Sequence, residues 1–339
     1  MRNIRKAIYK FLLVMFFVVA LQSGARLCYE NWVNQTVQSK MEREKLKGTI
    51  DTLYCGNSLT YYAFSPQVLD EVLGWSSFNL ATASQPYIGT YYLIRDAVED
   101  NPIEQIYVTV ALPPLKEQAG TRHYVSGFEN MCNWKWKLRY LWAVQKEDVW
   151  VSSLLYTTQI EDYLDLKGVK SNLRGKLVTK ATPSNYAGRG YRYTEDVFEG
   201  RENEQNGRVN SWSAESEEQQ VQEEALRYLE KIAIFCEERG IRLTFVTMPY
   251  TQAYLDGAKD LDAFHEYIAG KAEEWGADFW NFMLYKDREH IFTDDKFKDD
   301  HHMNAKGSEA FCSIFAQVVQ SEQPKDYFYE RMEEFDGND

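Results

Sequence analysis

Two short stretches of the sequence contain side chains that could act together as a nucleophile and its base. In LYCGNSLTYYAFSP, Ser58 follows Gly56 and Asn57 at the end of an apolar run. Far downstream, the stretch DDHHMN places Asp299 three residues before His302. A nucleophilic serine needs a base within hydrogen-bond reach, and that base needs an orienting group. The spacing predicts that Asp299 holds Nδ1 of His302 and leaves Nε2 facing Ser58.

Each stretch also has a plainer interpretation. Gly-Asn-Ser forms ordinary turns, and a charged run is usually a solvated surface loop. The first stretch is not the G-x-S-x-G elbow of α/β-hydrolases, because Thr60 stands in place of the second Gly. Asp300 and His301 are expected to project away from the serine.

A metal site is a further alternative for the downstream loop. Carboxylate and imidazole ligands are available there in six residues: Asp294, Asp295, Asp299, Asp300, His301 and His302. No His-x-x-x-His helix or second ligand cluster accompanies them, so we predict no metal and no other cofactor.

The elements that must position these residues follow an alternating order. Five short β-rich runs are separated by helical patterns: TIDTLYCG, SSFNLA, EQIYVTVALPP, IRLTFVTMP and ADFWNFM. The alternation predicts an α/β fold with a flavodoxin-like, doubly wound parallel sheet of about five strands. Ligands bind at the carboxyl ends of such strands. Ser58 and the Asp299–His302 loop both follow strand ends, so we expect them at one edge of the sheet.

The helical and polar patterns divide the chain into several segments. We predict a membrane segment at 1–27, a helical stalk at 28–48, an α/β domain at 49–114 and 217–322, an inserted cap at 115–216 and an acidic tail at 323–339. The last part of the tail, 330–339, is expected to be solvated or disordered. The insertion is rich in aromatic residues, including Trp134, Trp136, Tyr140 and Trp142. These form either the core of the cap or a surface that stacks on sugar rings.

The N-terminus carries a basic start followed by an apolar run from Phe11 to Leu21. This pattern is typical of an uncleaved signal anchor or of a cleaved signal peptide with a small-x-small site at Ser23–Ala25. The anchor is favoured because no clear polar region follows the apolar run. Since basic residues stay on the cytoplasmic side, we predict a single-pass protein of the cell membrane with its domain on the extracytoplasmic side.

Charge and cysteine content exclude several classes of function. The net charge of -13 and the lack of a basic stripe argue against nucleic acid as a partner. The five cysteines are scattered, form no CxxC pair and give no disulfide framework. No cysteine is proposed as a catalytic thiol.

The two stretches also carry a family resemblance. GNSLTYYAFSP and DDHHMNAKGSEAF resemble the first and last blocks of SGNH, or GDSL-like, hydrolases. The last block of that family is Asp-x-x-His, often followed by Leu/Met-Asn and a Gly. The matching residues here are Asp299, His302, Met303, Asn304 and Gly307. The N-terminal anchor and YLEKIAIFCEERGIRLTFVTMPY also look like the membrane-anchored branch that includes the teichoic-acid D-alanylation and alginate O-acetylation proteins. The resemblance covers about 49–114 and 219–320.

The resemblance implies an esterase or O-acyltransferase that acts on acylated carbohydrates or polymers of the cell envelope. It assigns Ser58 as nucleophile, His302 as general base and Asp299 as its partner. Two departures concern the oxyanion hole. Ala83 or Ser84 replaces the glycine of the second block, although a backbone N–H remains there. The third block, Gly-x-Asn-Asp, has no counterpart in VTVALPPL, and Gln85 is a candidate substitute.

The loss of one oxyanion donor costs about 3 kcal/mol of transition-state stabilisation. The resemblance therefore leaves a second interpretation open. The chain would then be a weakly active or inactive glycan-binding protein that keeps the fold.

Overall fold

The computed structural model describes residues 2–30, 35–116, 118–157, 160–179, 185–200, 212 and 219–335. Seven strands lie in this part of the chain: β1 Thr52–Cys55, β2 Ser77–Asn79, β3 Gln105–Thr109, β4 Tyr186–Gly188, β5 Tyr191–Arg192, β6 Arg242–Thr247 and β7 Asp278–Asn281. Five of them form one parallel sheet in the order β2-β1-β3-β6-β7. This confirms the predicted flavodoxin-like order, with the insertion after the third strand.

Helices flank the sheet along the chain. The first group runs from the N-terminus to β3: α1 Arg2–Tyr29, α2 Gln35–Lys45, α3 Ser58–Ala63, α4 Pro66–Leu73 and α5 Tyr87–Asp100. The second group occupies the predicted insertion: α6 Leu112–Lys116, α7 Thr121–Asn130, α8 Trp134–Val144, α9 Glu147–Leu155 and α10 Leu166–Arg174. The third group follows it: α11 Gln219–Arg239, α12 Gln252–Gly257, α13 Leu261–Glu274, α14 Arg288–Ile291 and α15 Ala305–Gln320.

An aromatic core fixes α15 against one face of the sheet. Tyr54 of β1 stacks on Phe64 at 4.4 Å between ring centres, and Tyr107 of β3 meets Phe315 of α15 edge-on at 4.9 Å. Phe311 of α15 packs edge-on against Phe64 at 5.1 Å. Large rings at this spacing bury much apolar surface. The downstream loop leads directly into α15, so this core also fixes the position of that loop.

The predicted helical stalk contains helix α2, and part of this helix is buried against the domain. Its Arg43 is buried and donates to Asp96 Oδ2 of α5 and to the carbonyl of Asn130, both at 2.7 Å. The Asp96 carboxylate also accepts the backbone N–H groups of Cys132 and Asn133, each at 2.8 Å. A charged composition therefore conceals a buried ion pair that joins α2 to the domain.

The insertion contributes a hairpin to the edge of the sheet. Strands β4 and β5 pair antiparallel, and the carbonyl of Arg189 between them accepts the N–H of Asn79 in β2 at 2.9 Å. Gly190 lies so close that a Cβ there would come within 1.8 Å of the Asn79 oxygen. The hairpin is thus seated directly on β2.

The predicted aromatic cluster of the insertion is split between the interior and the surface. Trp136 and Tyr140 are buried beside Tyr92, at ring distances of 6.4 and 5.7 Å. Trp142 is 72% exposed and Trp134 is 43% exposed. The four residues do not form a single packed group because they lie on different faces of helix α8.

The two ends of the chain differ in character. Residues Ile4–Tyr29 form a helix that is long and apolar enough to cross a membrane. At the other end, Phe328 packs edge-on against Phe282 at 5.2 Å, so the predicted acidic tail begins as folded structure. Its aromatic residues explain this packing. The last residues, 336–339, lie outside the described part of the chain.

Candidate active site

The corner after β1 is shaped by a glycine and an asparagine. A Cβ on Gly56 would lie 2.3 Å from Thr60 Oγ1 and 3.0 Å from Thr109 Cβ, so only glycine fits there. The side chain of Asn57 accepts the N–H of Leu59 at 3.0 Å and caps helix α3. Ser58 is therefore the first residue of a helix, placed at the carboxyl end of a buried strand.

The downstream loop is held by a second asparagine. Asn304 caps α15 by accepting the N–H of Gly307 at 3.1 Å. Its Nδ2 donates to the carbonyls of Asp295, Phe297 and Asp196 at 2.8, 3.1 and 3.1 Å. One side chain thus ties the loop to its own helix and to the insertion.

Ser58, His302 and Asp299 form a continuous hydrogen-bonded chain. Nε2 of His302 lies 2.7 Å from Oγ of Ser58. Nδ1 of the same imidazole lies 2.9 and 3.1 Å from the two carboxylate oxygens of Asp299. Oδ1 of Asp299 also accepts the backbone N–H of His302 at 2.7 Å, which fixes the carboxylate. This is the arrangement that activates a serine for attack on a carbonyl.

The ionisation of the pair suits a general base. Burial lowers the pKa of His302 to about 4, although the hydrogen bond to Asp299 opposes the shift. Burial disfavours the Asp299 carboxylate, but its hydrogen bond to His302 and the imidazole charges outweigh this and hold the pKa of Asp299 well below its usual range. At neutral pH the site therefore contains a carboxylate and a neutral imidazole.

His301, which we predicted to project away from Ser58, lies beside the candidate base. Its ring lies 4.0 Å from that of His302, and its Nδ1 bonds to Asp300. The cause is the tight turn, in which Asp299 Oδ1 also accepts the N–H of His301 at 3.1 Å and holds the two imidazoles side by side.

The three candidate oxyanion residues lie in the loop that follows β2 and precedes α5. Ser84 has a left-handed backbone with φ of 44°, and the carbonyl of Ala83 accepts from His123 Nδ1 at 2.9 Å. Gln85 is buried, with Oε1 accepting from Thr82 and Nε2 donating to Thr90, both at 2.8 Å. These bonds brace the loop, and the roles of the three residues in oxyanion binding stay predictions.

The side chain of Tyr87, from the start of α5, reaches the end of β3. This is where SGNH hydrolases have the Gly-x-Asn-Asp block that the sequence lacks. The Tyr87 hydroxyl donates to the carbonyl of Thr109 at 3.3 Å and accepts the N–H of Ala111 at 3.4 Å. Burial raises the pKa of Tyr87 well above its usual range, so the hydroxyl stays protonated.

The six candidate metal ligands do not all lie close enough together to bind one ion. Among the described residues, ligand atoms of Asp299, His301 and His302 lie within 4.8 Å of one another. Asp299 and His302 already face each other at hydrogen-bond distance. A cation between them would have to break the bond that orients the imidazole, so the geometry favours the serine–histidine arrangement.

Comparison with known proteins gives likenesses among solved structures. No protein-family model and no curated protein sequence matches the chain. Among solved structures, a GDSL-like lipase from Bacteroides thetaiotaomicron VPI-5482 is similar at 10% sequence identity and a TM-score of 0.39. The match covers 86% of this chain and 98% of that chain.

Two cations beside the serine helix were not singled out from the sequence. Cζ of Arg192, in the hairpin, lies 4.7 Å from the ring centre of Tyr61 and 5.9 Å from that of Tyr62. Lys298 Nζ lies 4.5 Å from the Tyr62 ring and 3.6 Å from Asp299 Oδ2. No sequence signal identifies Arg192, because its position depends on how the insertion folds back.

These cations are close to the histidine of the triad. The edge of the Tyr62 ring faces the His302 imidazole at 5.5 Å, so Tyr62 links both cations to the base. Within the described residues, Nε of Arg192 is buried without a hydrogen-bond partner. The planar guanidinium is the cationic group whose geometry best matches a carboxylate or phosphate.

Proposed function

We propose that the protein is a serine-dependent ester hydrolase or O-acyltransferase that acts on acyl esters of cell-envelope glycans or polymers. The observation that carries the proposal is the chain of hydrogen bonds from Ser58 through His302 to Asp299. Helix α1 would anchor the domain to the extracytoplasmic face of the cell membrane, consistent with its length and apolar composition.

The first half-reaction transfers the acyl group to the enzyme. Ser58 Oγ attacks the acyl carbonyl carbon while His302 Nε2 takes the hydroxyl proton, and the carbonyl oxygen becomes an oxyanion. The C–O bond to the leaving alcohol then breaks, and His302 returns the proton to that alcohol. Backbone N–H groups at Ala83 and Ser84, with Gln85 beside them, are the proposed donors to the oxyanion.

The second half-reaction releases the acyl group. Water or a glycan hydroxyl attacks the acyl-Ser58 carbonyl and gives its proton to His302. Ser58 leaves with that proton, and the product is an acid or a new ester. Hydrolysis and transfer share every residue of the triad, and the incoming nucleophile alone distinguishes them.

The two cations near Tyr62 support a substrate that carries an anionic group. The chain has a net charge of -13, so a local pair of cations at the candidate site is a departure from its general character. Envelope polymers with phosphate or carboxylate groups fit this charge. The proposed substrate is thus an ester on, or adjacent to, such a group.

Labelling of the full chain with a fluorophosphonate probe tests the proposal. We expect wild type to be labelled at Ser58, with labelling lost in Ser58→Ala and reduced by several orders of magnitude in His302→Ala. Ser313→Ala, at an exposed position of α15, is the matched control and should label like wild type. If wild type shows no label that depends on Ser58 at any pH, the acyl-enzyme mechanism is wrong.

A second candidate function is glycan binding without turnover. It is favoured by the exposure of Trp134 and Trp142, since their flat apolar faces could stack on sugar rings. Titration of Ser58→Ala with envelope polysaccharide, compared with the same protein carrying Trp142→Ala, tests this candidate. Equal affinity in the two proteins would exclude a binding role for Trp142.

A further inference from the structure

Residues 164–178, which we call the α10 segment, pack against the end of α1 on one side and expose several apolar side chains on the other. No residue of helix α10 is buried. Within the α10 segment, four apolar side chains are strongly exposed: Leu164 79%, Leu166 78%, Leu177 68% and Val178 73%. Apolar exposure of this extent usually marks a surface that a partner or a membrane covers.

The sequence of the α10 segment separates apolar from basic residues. Leu166, Val169 and Leu173 follow the helical spacing i, i+3 and i+7, and Leu177 follows in the π-helical turn Gly175–Thr179; we call these four residues the apolar stripe. Lys167, Lys170 and Arg174 are cationic neighbours of this stripe. An apolar stripe bordered by basic residues is typical of helices that lie in the interface of an anionic bilayer.

The α10 segment is fastened to the last turn of the membrane helix. Lys176 Nζ donates to the carbonyls of Arg26 and Leu27 at 2.5 and 3.1 Å, and Asn172 Nδ2 donates to that of Cys28 at 3.2 Å. These bonds reach carbonyls in the last turn of α1, and the carbonyl of Arg26 also accepts the N–H of Glu30 at 3.3 Å. The α10 segment therefore begins where the apolar span ends.

Two tyrosines lie at the end of the apolar span, beside the α10 segment. The Tyr29 ring at the end of α1 meets the Tyr163 ring edge-on at 5.1 Å between centres, directly before the α10 segment. Tyrosine is enriched at membrane–water interfaces because its ring is apolar and its hydroxyl is polar. The position of these rings is consistent with an interfacial depth for the neighbouring helix.

We infer that the α10 segment lies in the outer interface of the bilayer, with its apolar stripe among the acyl chains and its basic residues against anionic phospholipid headgroups. The inference rests on the proposed anchoring by α1. It adds a second point of membrane attachment, which would fix the orientation of the domain rather than only its distance from the surface. Although the chain is acidic overall, this segment presents cations that anionic lipid headgroups would attract.

Site-specific labelling of the full chain in lipid vesicles tests the inference. In a Cys28→Ala, Cys132→Ala background, single substitutions Leu166→Cys and Leu177→Cys would carry a polarity-sensitive fluorophore. Ser171→Cys, exposed on another face of α10, is the matched control. We expect the stripe labels to be quenched by lipids spin-labelled in their acyl chains and several-fold less by aqueous iodide than the control label.

Two further measurements show which proposal a negative result would overturn. Flotation with the vesicles reports the anchor, and its loss would remove both the proposed anchoring and this inference. If the protein floats while the stripe labels respond to iodide like the control, only this inference is wrong, and the stripe would face a protein partner instead.

The triple variant Lys167→Gln, Lys170→Gln, Arg174→Gln tests the contact with lipid headgroups. It should reduce the shielding of the stripe labels from iodide on phosphatidylglycerol vesicles and leave that shielding unchanged on phosphatidylcholine vesicles. An equal loss on both would contradict the headgroup contact.

Discussion

Ser58 and His302 meet in a site that keeps the imidazole neutral over a wide pH range, and this sets the expected pH dependence. Burial lowers the pKa of His302 to about 4, whereas an unperturbed histidine titrates near about 6.5. Only the neutral imidazole accepts the serine proton. The rate of fluorophosphonate labelling should therefore stay constant above about pH 6 and fall as the pH drops through about 4.

The carboxylate that orients His302 can be tested by the same labelling assay. Asp299→Asn removes the acceptor that orients the imidazole, and labelling at neutral pH should fall roughly 10³-fold to 10⁴-fold. Asp295→Asn, in the exposed part of the same loop, should label normally. A wild-type profile that falls near pH 6.5 would contradict the buried, neutral state of His302.

Arg192 gives a prediction about specificity. Replacing it with glutamine should raise KM about tenfold for an ester that carries a carboxylate near the acyl group, because a charge-assisted hydrogen bond of about 1.4 kcal/mol is lost. KM for an uncharged ester and kcat for both should change little. Steady-state kinetics on a hemisuccinate and an acetate ester of one alcohol measure this. An equal effect on both esters would mean that Arg192 only supports the structure.

At the residue scale, the sequence predicted the contact between Asp299 and His302 but not the cations beside them. Asp-x-x-His spacing predicted which carboxylate meets which imidazole, because both lie on one tight loop. Arg192 could not be predicted, since it reaches Tyr61 and Tyr62 only after the inserted hairpin seats on β2.

Among the elements, strands were predicted more reliably than the polar helices. Each of the five apolar β-rich runs contains a strand of the central sheet. Helix α3 was not predicted, because the Gly-Asn-Ser corner is typical of a turn. The helix that Asn57 caps is also short, so it leaves no clear helical pattern in the sequence. Helix α2 was predicted only as part of a polar helical stalk, because composition does not show that Arg43 pairs with Asp96.

The buried Arg43–Asp96 pair gives a prediction for the stability of the α2 element. Arg43→Ala leaves the Asp96 carboxylate buried without its cation, and breaking such a pair typically costs about 3–5 kcal/mol of unfolding free energy. Thermal unfolding of the full chain in detergent should show a clear fall in Tm.

An exposed ion pair provides the comparison for this measurement. Lys47 pairs with Asp100 at 2.6 Å near the end of the same helix, and its side chain is largely exposed. Lys47→Ala should leave Tm nearly unchanged because water replaces the lost contact. If both variants unfold at the same temperature as wild type, α2 is not held by its buried charge.

Across the whole molecule, the order of strands and helices predicted the sheet topology and the meeting of two distant stretches. The fold of the insertion was not predictable, because its contacts depend on packing against the sheet rather than on local periodicity. Its hairpin accepts the N–H of Asn79 in β2 through the carbonyl of Arg189, and its Thr194 carbonyl accepts the N–H of Ala305 at 2.8 Å. The inserted chain therefore also supports the loop that carries His302.

The N-terminal segment gives a prediction for the mature chain. Ala25, the residue before the alternative cleavage position, lies within helix α1 and is only 7% exposed. We expect this segment to be retained as an anchor, so the intact mass of protein extracted from membranes should include residues 2–25. Ala25→Leu blocks cleavage after a small residue and should give the same pattern as wild type. A wild-type chain that begins at Arg26 would show a cleaved signal peptide.

The hydrogen bond between Ser58 and His302 joins residues that are 244 positions apart in the chain. Its two halves are therefore synthesised at very different times, and loop closure over such a distance must precede any contact between them. If the chain crosses the membrane behind α1, the serine emerges long before its base. An acyl-accepting serine would thus stay chemically silent throughout synthesis and export, and it would gain its reactivity only when the C-terminal helix has folded outside the cell.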